Sequence, residues 1–172
     1  MHKKEPTFEE AIHFAMMWCN AWDREEISDE VLAERVAELL KSSNGARGFF
    51  VASLSSESPL MDRLPDPLIF KLTEAKELVI DLTVRNLVMS TAMGIIHKRN
   101  RSQDQQSGSE KISMRCIDLL RKLDPLSVKK RIETMLEATE GKGDDVNFLK
   151  KWGYDKEQKS AIASNILLIP EH

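Results

Sequence analysis

Apolar positions recur at intervals of three and four along most of this chain, the repeat of helices with one face turned inward. Phe8, Ile12, Ala15, Met16 and Cys19 form one stripe, and Phe14, Trp18 and Trp22 a second beside it. Thr7 or the residue before it can cap, with Glu9 and Glu10 in the first turn where the helix dipole favours carboxylates. This predicts a first helix buried over more than half its circumference. A second starts at Ser28, with Asp29 and Glu30 in its first turn and Ile27 able to staple onto Leu32. Its stripe is Leu32, Val36, Leu39 and Leu40, and Asn44–Gly45 reads as its stop.

The segment 46–58 fits either a short helix, through Phe49, Phe50, Ser53 and Leu54, or a strand over "FFVASL". No hairpin partner lies nearby, so helix is the reading taken. "SPLMDRLPDP" is a proline-marked connection, and Asp66–Pro67 reads as a cap followed by the first helical residue. The helical pattern then runs to Asn100 with a break near Thr73–Glu77, because one helix of that length is unusual in a compact domain. A polar loop is expected over about 98–109, ended by the capping-box spacing of Ser107 and Glu110. Beyond it Ile112, Cys116, Leu119, Leu120 and Leu123 form a stripe. Asp124–Pro125 opens a helix with Val128, Ile132, Met135 and Leu136 inward, ended by Gly141 and Gly143. A short helix from Asp144 to Trp152 stops at Gly153, and Asp155 with Gln158 boxes a last one striped by Ile162, Ile166 and Ile169.

The pattern predicts an all-α protein: a single-domain helical bundle of about seven to eight helices, packed irregularly around a central apolar helix over about 78–100. Residues 1–64 are separable as an N-terminal subregion and 65–172 as the main bundle. Composition agrees. Of 172 residues, 41 % are hydrophobic and 31 % charged, as in soluble domains, and seven Gly with six Pro are too few for the frequent turns of an all-β chain. Glu5, Glu9 and Glu10 interrupt the run a secretory signal needs. Leu78–Ile96 is long enough to cross a membrane, but Asp81, Arg85 and Asn86 inside it are costly at that depth, so no membrane association and a cytoplasmic location are expected. Cys19 and Cys116 read as reduced, buried thiols.

Charge is uneven. Residues 1–66 carry 7 Lys/Arg against 13 Asp/Glu, a net of −6, and residues 67–172 carry 18 against 15, a net of +3. Within the latter, residues 97–131 hold 10 basic and 4 acidic groups. Lys98, Arg99, Arg101, Arg121, Lys122, Lys129, Lys130 and Arg131 are therefore the candidate residues for an anionic partner. The region has no aromatic residue on which a base could stack, and the chain is acidic overall, so an acidic protein is favoured over nucleic acid.

Asn86, Ser90 and His97 share one face of the central helix with Thr83 and Gly94. They form either a polar pocket with His97 as acid or base, or a close-packing seam, and the seam is favoured because one helix supplies no second catalytic group. Asp81 and Arg85, four apart, can pair with each other. Glu10-x-x-His13 has the ligand spacing of di-iron carboxylate bundles, but that chemistry needs the motif twice and it occurs once, so no metal and no cofactor are expected. No G-x-S-x-G, P-loop or G-x-G-x-x-G is present. Over about fifteen residues, "FLKKWGYDKEQKSAI" resembles the Met-Gly-Phe loop of ubiquitin-associated domains, with Trp152 where Met stands there. Too few residues follow for that domain's third helix, and a Gly-capped hairpin with Trp152 and Tyr154 packed inward is the preferred reading.

The function expected is binding of another protein, as an adaptor, assembly factor or regulator, without catalysis. Whichever of Trp18, Trp22, Phe49 and Phe50 are exposed would anchor the contact. The alternatives are a nucleic-acid-associated regulator using 97–131, and a small-ligand or enzyme pocket at Asn86, Ser90 and His97. A homodimer is as consistent with the sequence as a monomer.

Overall fold

The computed structural model describes residues 4–170, so His2 and His172 lie outside the described residues. The described chain is all-α: nine helices and one 3-10 turn, with no strand among these residues. It divides into two compact units, Met1–Leu82 and Thr83–His172. By sequence the first carries 9 Lys/Arg against 16 Asp/Glu and the second 16 against 12, so the opposition of charge follows the unit boundary.

In the first unit α1 (Phe8–Asp23) packs along α3 (Ser43–Ser55), and α2 (Asp29–Leu39) along α4 (Asp66–Glu74). The 3-10 turn Pro59–Asp62 links the second pair to the first and buries Leu60 and Met61. The predicted caps form. Thr7 Oγ1 accepts the Glu10 amide while the Glu10 carboxylate accepts the Thr7 amide, and Ser28 Oγ accepts the Val31 amide. The Thr7 amide, then its hydroxyl, hold the Glu10 carboxyl below its ordinary pKa. Segment 46–58 is helical to Ser55, with Phe49 and Phe50 fully buried and edge-on to each other at 5.2 Å. The break near Thr73–Glu77 falls at Ala75–Lys76, where Lys76 takes φ 51° between α4 and α5.

Three local expectations are corrected here. Asn44–Gly45 does not stop α2. Ser42 caps α3 by accepting the Gly45 amide, so both residues sit in the first turn of a new helix. Asp66 is the first residue of α4 rather than its cap, which is Pro65 without a side-chain bond. Helix α1 buries only Ala11, Ala15 and Cys19 fully; of its second stripe Phe14 is exposed and Trp18 and Trp22 are half-buried.

The second unit holds most of α5 (Glu77–Arg99), with α6 (Gln103–Leu120), α7 (Pro125–Thr139), α8 (Val146–Lys151) and α9 (Lys156–Leu167). Its core is built from Val84, Leu87 and Val88 of α5, Cys116 and Leu119 of α6, Ile132 and Met135 of α7, and Ile162 and Ile166 of α9. Helix α5 is long and apolar enough to cross a membrane by length and composition, and half of that apolar window is buried within the protein. Asp124 caps α7 through the Ser127 amide, and Asp155 with Gln158 boxes α9. Both cap carboxyls are held below their ordinary pKa, Asp124 by the Ser127 hydroxyl and amide, Asp155 chiefly by the Gln158 amide. Gly153 takes φ 65° after α8, as expected of a helix-ending glycine.

The polar loop expected over 98–109 is a correction. Only Asn100–Ser102 separate α5 from α6, with Arg101 at φ 57°, and Ser107–Glu110 lie inside α6. "QDQQSGSEK" lacks an apolar stripe, but Gln, Glu and Lys are good helix formers, and Gln106 donates to Glu110 one turn on at 3.0 Å. Gly108 is thus an exposed residue inside a helix, with nothing within 4 Å of an added Cβ. Gly108→Ala is expected to stabilise the chain by about 0.5–1 kcal/mol. Thermal unfolding should then rise by roughly 2–4 °C per kcal/mol gained; a fall would show that α6 does not begin at Gln103.

Candidate functional site

The eight cations predicted to face an anionic partner divide once the structure places them. Arg99 bonds to Asp155 at 2.8 Å and Glu157 at 2.6 Å, tying the end of α5 to the start of α9, and these bonds raise its pKa further. Arg131 lies along Asp145 in a two-pronged pair, Nη1 to Oδ2 at 2.6 Å and Nη2 to Oδ1 at 3.1 Å. Arg121 Nη2 donates to the Leu168 carbonyl at 2.5 Å. Three of the eight are therefore used to join elements of the second unit. A ninth basic residue of the stretch, Arg115, is 1 % exposed within α6. Lys98, Arg101, Lys122, Lys129 and Lys130 remain exposed.

The face of α5 holding Asn86, Ser90 and His97 is drawn into helix packing at its centre. Ser90 and Ser113 hydroxyls lie 2.7 Å apart, Thr91 Oγ1 is 3.4 Å from Ser113 Oγ, and Asn165 Nδ2 donates to Thr91 Oγ1 at 2.9 Å. Gln158 of α9 donates to the Ala92 carbonyl at 3.2 Å. A Cβ on Gly94 would meet Ser109 Cβ at 3.8 Å, so α5 and α6 run closely side by side here. Asn86 and His97 are half-buried on either side of this hydroxyl chain.

One cleft of the first unit, of about 530 Å3, is lined by Trp22 and Ile27 with Asp23, Glu25, Glu26, Asp29 and Arg63. Two others are more apolar, one in each unit. The first, of about 430 Å3, lies beside α1 and is lined by Pro6, Phe14, Trp18 and Leu39 with Glu5, Glu10, Glu38, Lys4 and Lys41 around it. Phe14 and Trp18, one turn apart, stack with ring centroids at 5.9 Å and planes 11° apart. Phe14 is 38 % exposed and Met17, beside it on the helix, 51 %. Glu38 is paired with Lys41 at 2.9 Å, and Glu10 is spent on the Thr7 cap. Of the expected aromatic anchors, Phe49 and Phe50 are core; Trp22 lines the polar cleft and donates Nε1 to Asp29 at 2.7 Å, and Trp18 lines the apolar one, where its partner Phe14 is a residue the sequence pattern placed only in the buried stripe.

The second cleft, of about 420 Å3, lies among the end of α6, α7 and the end of α9. Its walls are Leu120, Leu123, Val128, Ile132, Leu136 and Ile169, and Arg121, Lys129 and Glu133 also line it. Two of the predicted cations are thus brought to one apolar cleft, while Arg99 and Arg131 are committed elsewhere. Trp152, expected to pack inward, is 48 % exposed with Lys151 over its ring; Gly153 turns the chain away directly after it. Tyr154 is half-buried, and desolvation pushes its pKa up to about 12. Burial likewise raises the Cys116 thiol well above its usual range. Among the described residues no group of three His, Cys, Asp or Glu side chains is placed to hold a metal ion.

Against known proteins, a family model described as "Uncharacterised conserved protein UCP020893" matches residues 7–169. The chain belongs to this family. The match spans both units and all nine helices, so family membership attaches to the whole architecture rather than to one half of it. Both apolar clefts fall inside it except for Lys4, Glu5 and Pro6 at one and Pro170 at the other. No curated protein and no solved structure matches the chain.

Proposed function

We propose that this family member works by binding another protein, as a cytoplasmic adaptor, assembly factor or regulator, and that α1 supplies the central contact. The observation that carries this reading is the stacked Phe14–Trp18 pair left at the mouth of a cleft, with Met17 exposed beside it. Aromatic residues and methionine are what protein interfaces enrich at their centres, since large rigid side chains gain much contact area for little lost entropy. What separates this place from a lone exposed ring such as Phe70 is continuity: Phe14, Trp18 and Met17 adjoin one another on α1, and contiguous apolar patches mark interaction sites. The acidic balance of the first unit selects a partner with basic residues around its own apolar centre.

The test places a photo-crosslinking amino acid at Met17, with a control at Phe70, which is 62 % exposed on α4. Crosslinking in host lysate treated with nuclease should give one discrete protein adduct from position 17 and none from position 70. With that partner in hand, Phe14→Ala should weaken the complex by about tenfold or more, the cost of an interface hot spot. An adduct that forms equally at both positions, or affinity unchanged in Phe14→Ala, rejects α1 as the contact.

A further inference from the structure

We propose that the cleft of the second unit binds a long-chain amphiphile with a carboxylate head group, its tail among the apolar walls and its head at Arg121 and Lys129. The cleft is in a different unit from the Phe14–Trp18 edge, so the inference stands apart from the reading of α1. Its lining divides by chemistry. Leu120, Leu123, Val128, Ile132 and Ile169 form an apolar floor, and the water of the cleft lies against the more open Leu136, Leu167 and Pro170, from which a hydrocarbon chain readily displaces it. The floor side chains are each 5 % exposed or less, so the open apolar surface is narrow, a few side chains wide, which suits a hydrocarbon chain. A volume of about 420 Å3 is in the range of small-molecule sites.

The head group is chosen by charge. Two cations line the cleft against one carboxylate, Glu133. Arg121 is held in place by its bond to the Leu168 carbonyl, yet its Nε is buried and has no acceptor among the described residues. A guanidinium carries five N–H donors, and a buried donor without an acceptor is disfavoured, so a small turn of the Arg121 head toward an arriving carboxylate gives Nε the acceptor the protein does not supply. Lys129, exposed on α7, supplies the second positive charge on a mobile arm. A carboxylate therefore gains two charge-assisted contacts where an alcohol gains weaker ones and an ammonium meets repulsion.

The experiment titrates the full chain with dodecanoate below its micellar concentration, following methyl chemical shifts and heat of binding. Saturable one-to-one binding is expected, with shifts centred on Ile132, Leu136 and Ile169. Dodecanol should bind more weakly and dodecylammonium weaker still. Lys129→Glu, a change at an exposed position, should weaken dodecanoate by about tenfold while leaving dodecanol nearly unaffected. Leu136→Trp, which fills the cleft, should abolish binding of both. Dodecylammonium binding as tightly as dodecanoate, shifts scattered outside the cleft, or no saturable binding would each overturn the proposal. So would an acidic amphipathic peptide that occupies the cleft and is not displaced by dodecanoate, which would make it a protein groove.

Discussion

Replacing Arg131 with methionine is expected to destabilise the fold by about 3–5 kcal/mol, because it leaves the Asp145 carboxylate buried without its cation. The two side chains are only 17 % and 10 % exposed, so water compensates the loss poorly. Asp145 stands at the N-cap of α8 but makes no side-chain cap bond; its carboxylate is turned to Arg131 of α7 instead. The pair thus stitches a six-residue helix, too short to persist alone, onto a longer one. Removing both charges, as Arg131→Met with Asp145→Leu, should recover most of the loss, since desolvating an ion pair costs about as much as the pair returns. Urea unfolding of the two singles and the double measures the coupling directly. A loss under about 1 kcal/mol in Arg131→Met would show that the pair is solvated like a surface bridge.

Gly48→Leu should cost roughly 3 kcal/mol, and here the reason is distance between backbones. An added Cβ at Gly48 would lie 2.4 Å from Ala11 Cβ, 2.9 Å from the Ile12 amide nitrogen and 3.0 Å from the Phe8 carbonyl. Two of these three neighbours are main chain, which cannot swing aside, so α1 and α3 would have to separate along the contact that holds them together. The effect opposes local preference: leucine favours a helix over glycine by up to about 1 kcal/mol, and the predicted result has the other sign. It contrasts with Gly108, where open space lets propensity decide. Calorimetry on the two variants should therefore show shifts of opposite direction; stabilisation at both positions would mean α1 and α3 do not cross at Gly48.

The capping residues were legible because their signals are local, and the break at Ala75–Lys76 because an unbroken helix from Pro67 to Asn100 would be too long for a compact domain. Thr7 with Glu10, Ser28, Asp124 with Pro125, and Asp155 with Gln158 each state a helix start within four residues. The start of α6 was not legible, since "QDQQSGSEK" carries propensity without periodicity and its glycine imitated a loop. Charge could be read from sequence, but not its use. Arg131 and Asp145 are 14 residues apart and Arg99 and Glu157 are 58 apart, so the same count that marked an anionic site also counted internal fasteners. The apolar cleft needed the ends of α6 and α9 to meet α7, and nothing within one helix announces that. Phe14 was visible as an aromatic at helical spacing, yet only tertiary packing decides whether such a ring is covered.

The hydroxyl chain through Ser90, Ser113, Thr91 and Asn165 runs between helices whose shared core is otherwise mostly aliphatic. Greasy surfaces can be displaced by a turn, about 5.4 Å, and still find grease opposite. Hydroxyls cannot, because a shifted α6 would set Ser113 against leucine or valine without Ser90 and Thr91, while Ser90 kept only the Leu87 carbonyl of its own helix. The four polar groups act as a detent between α5, α6 and α9, allowing one axial setting of these rods and making every neighbouring setting cost a buried hydrogen bond.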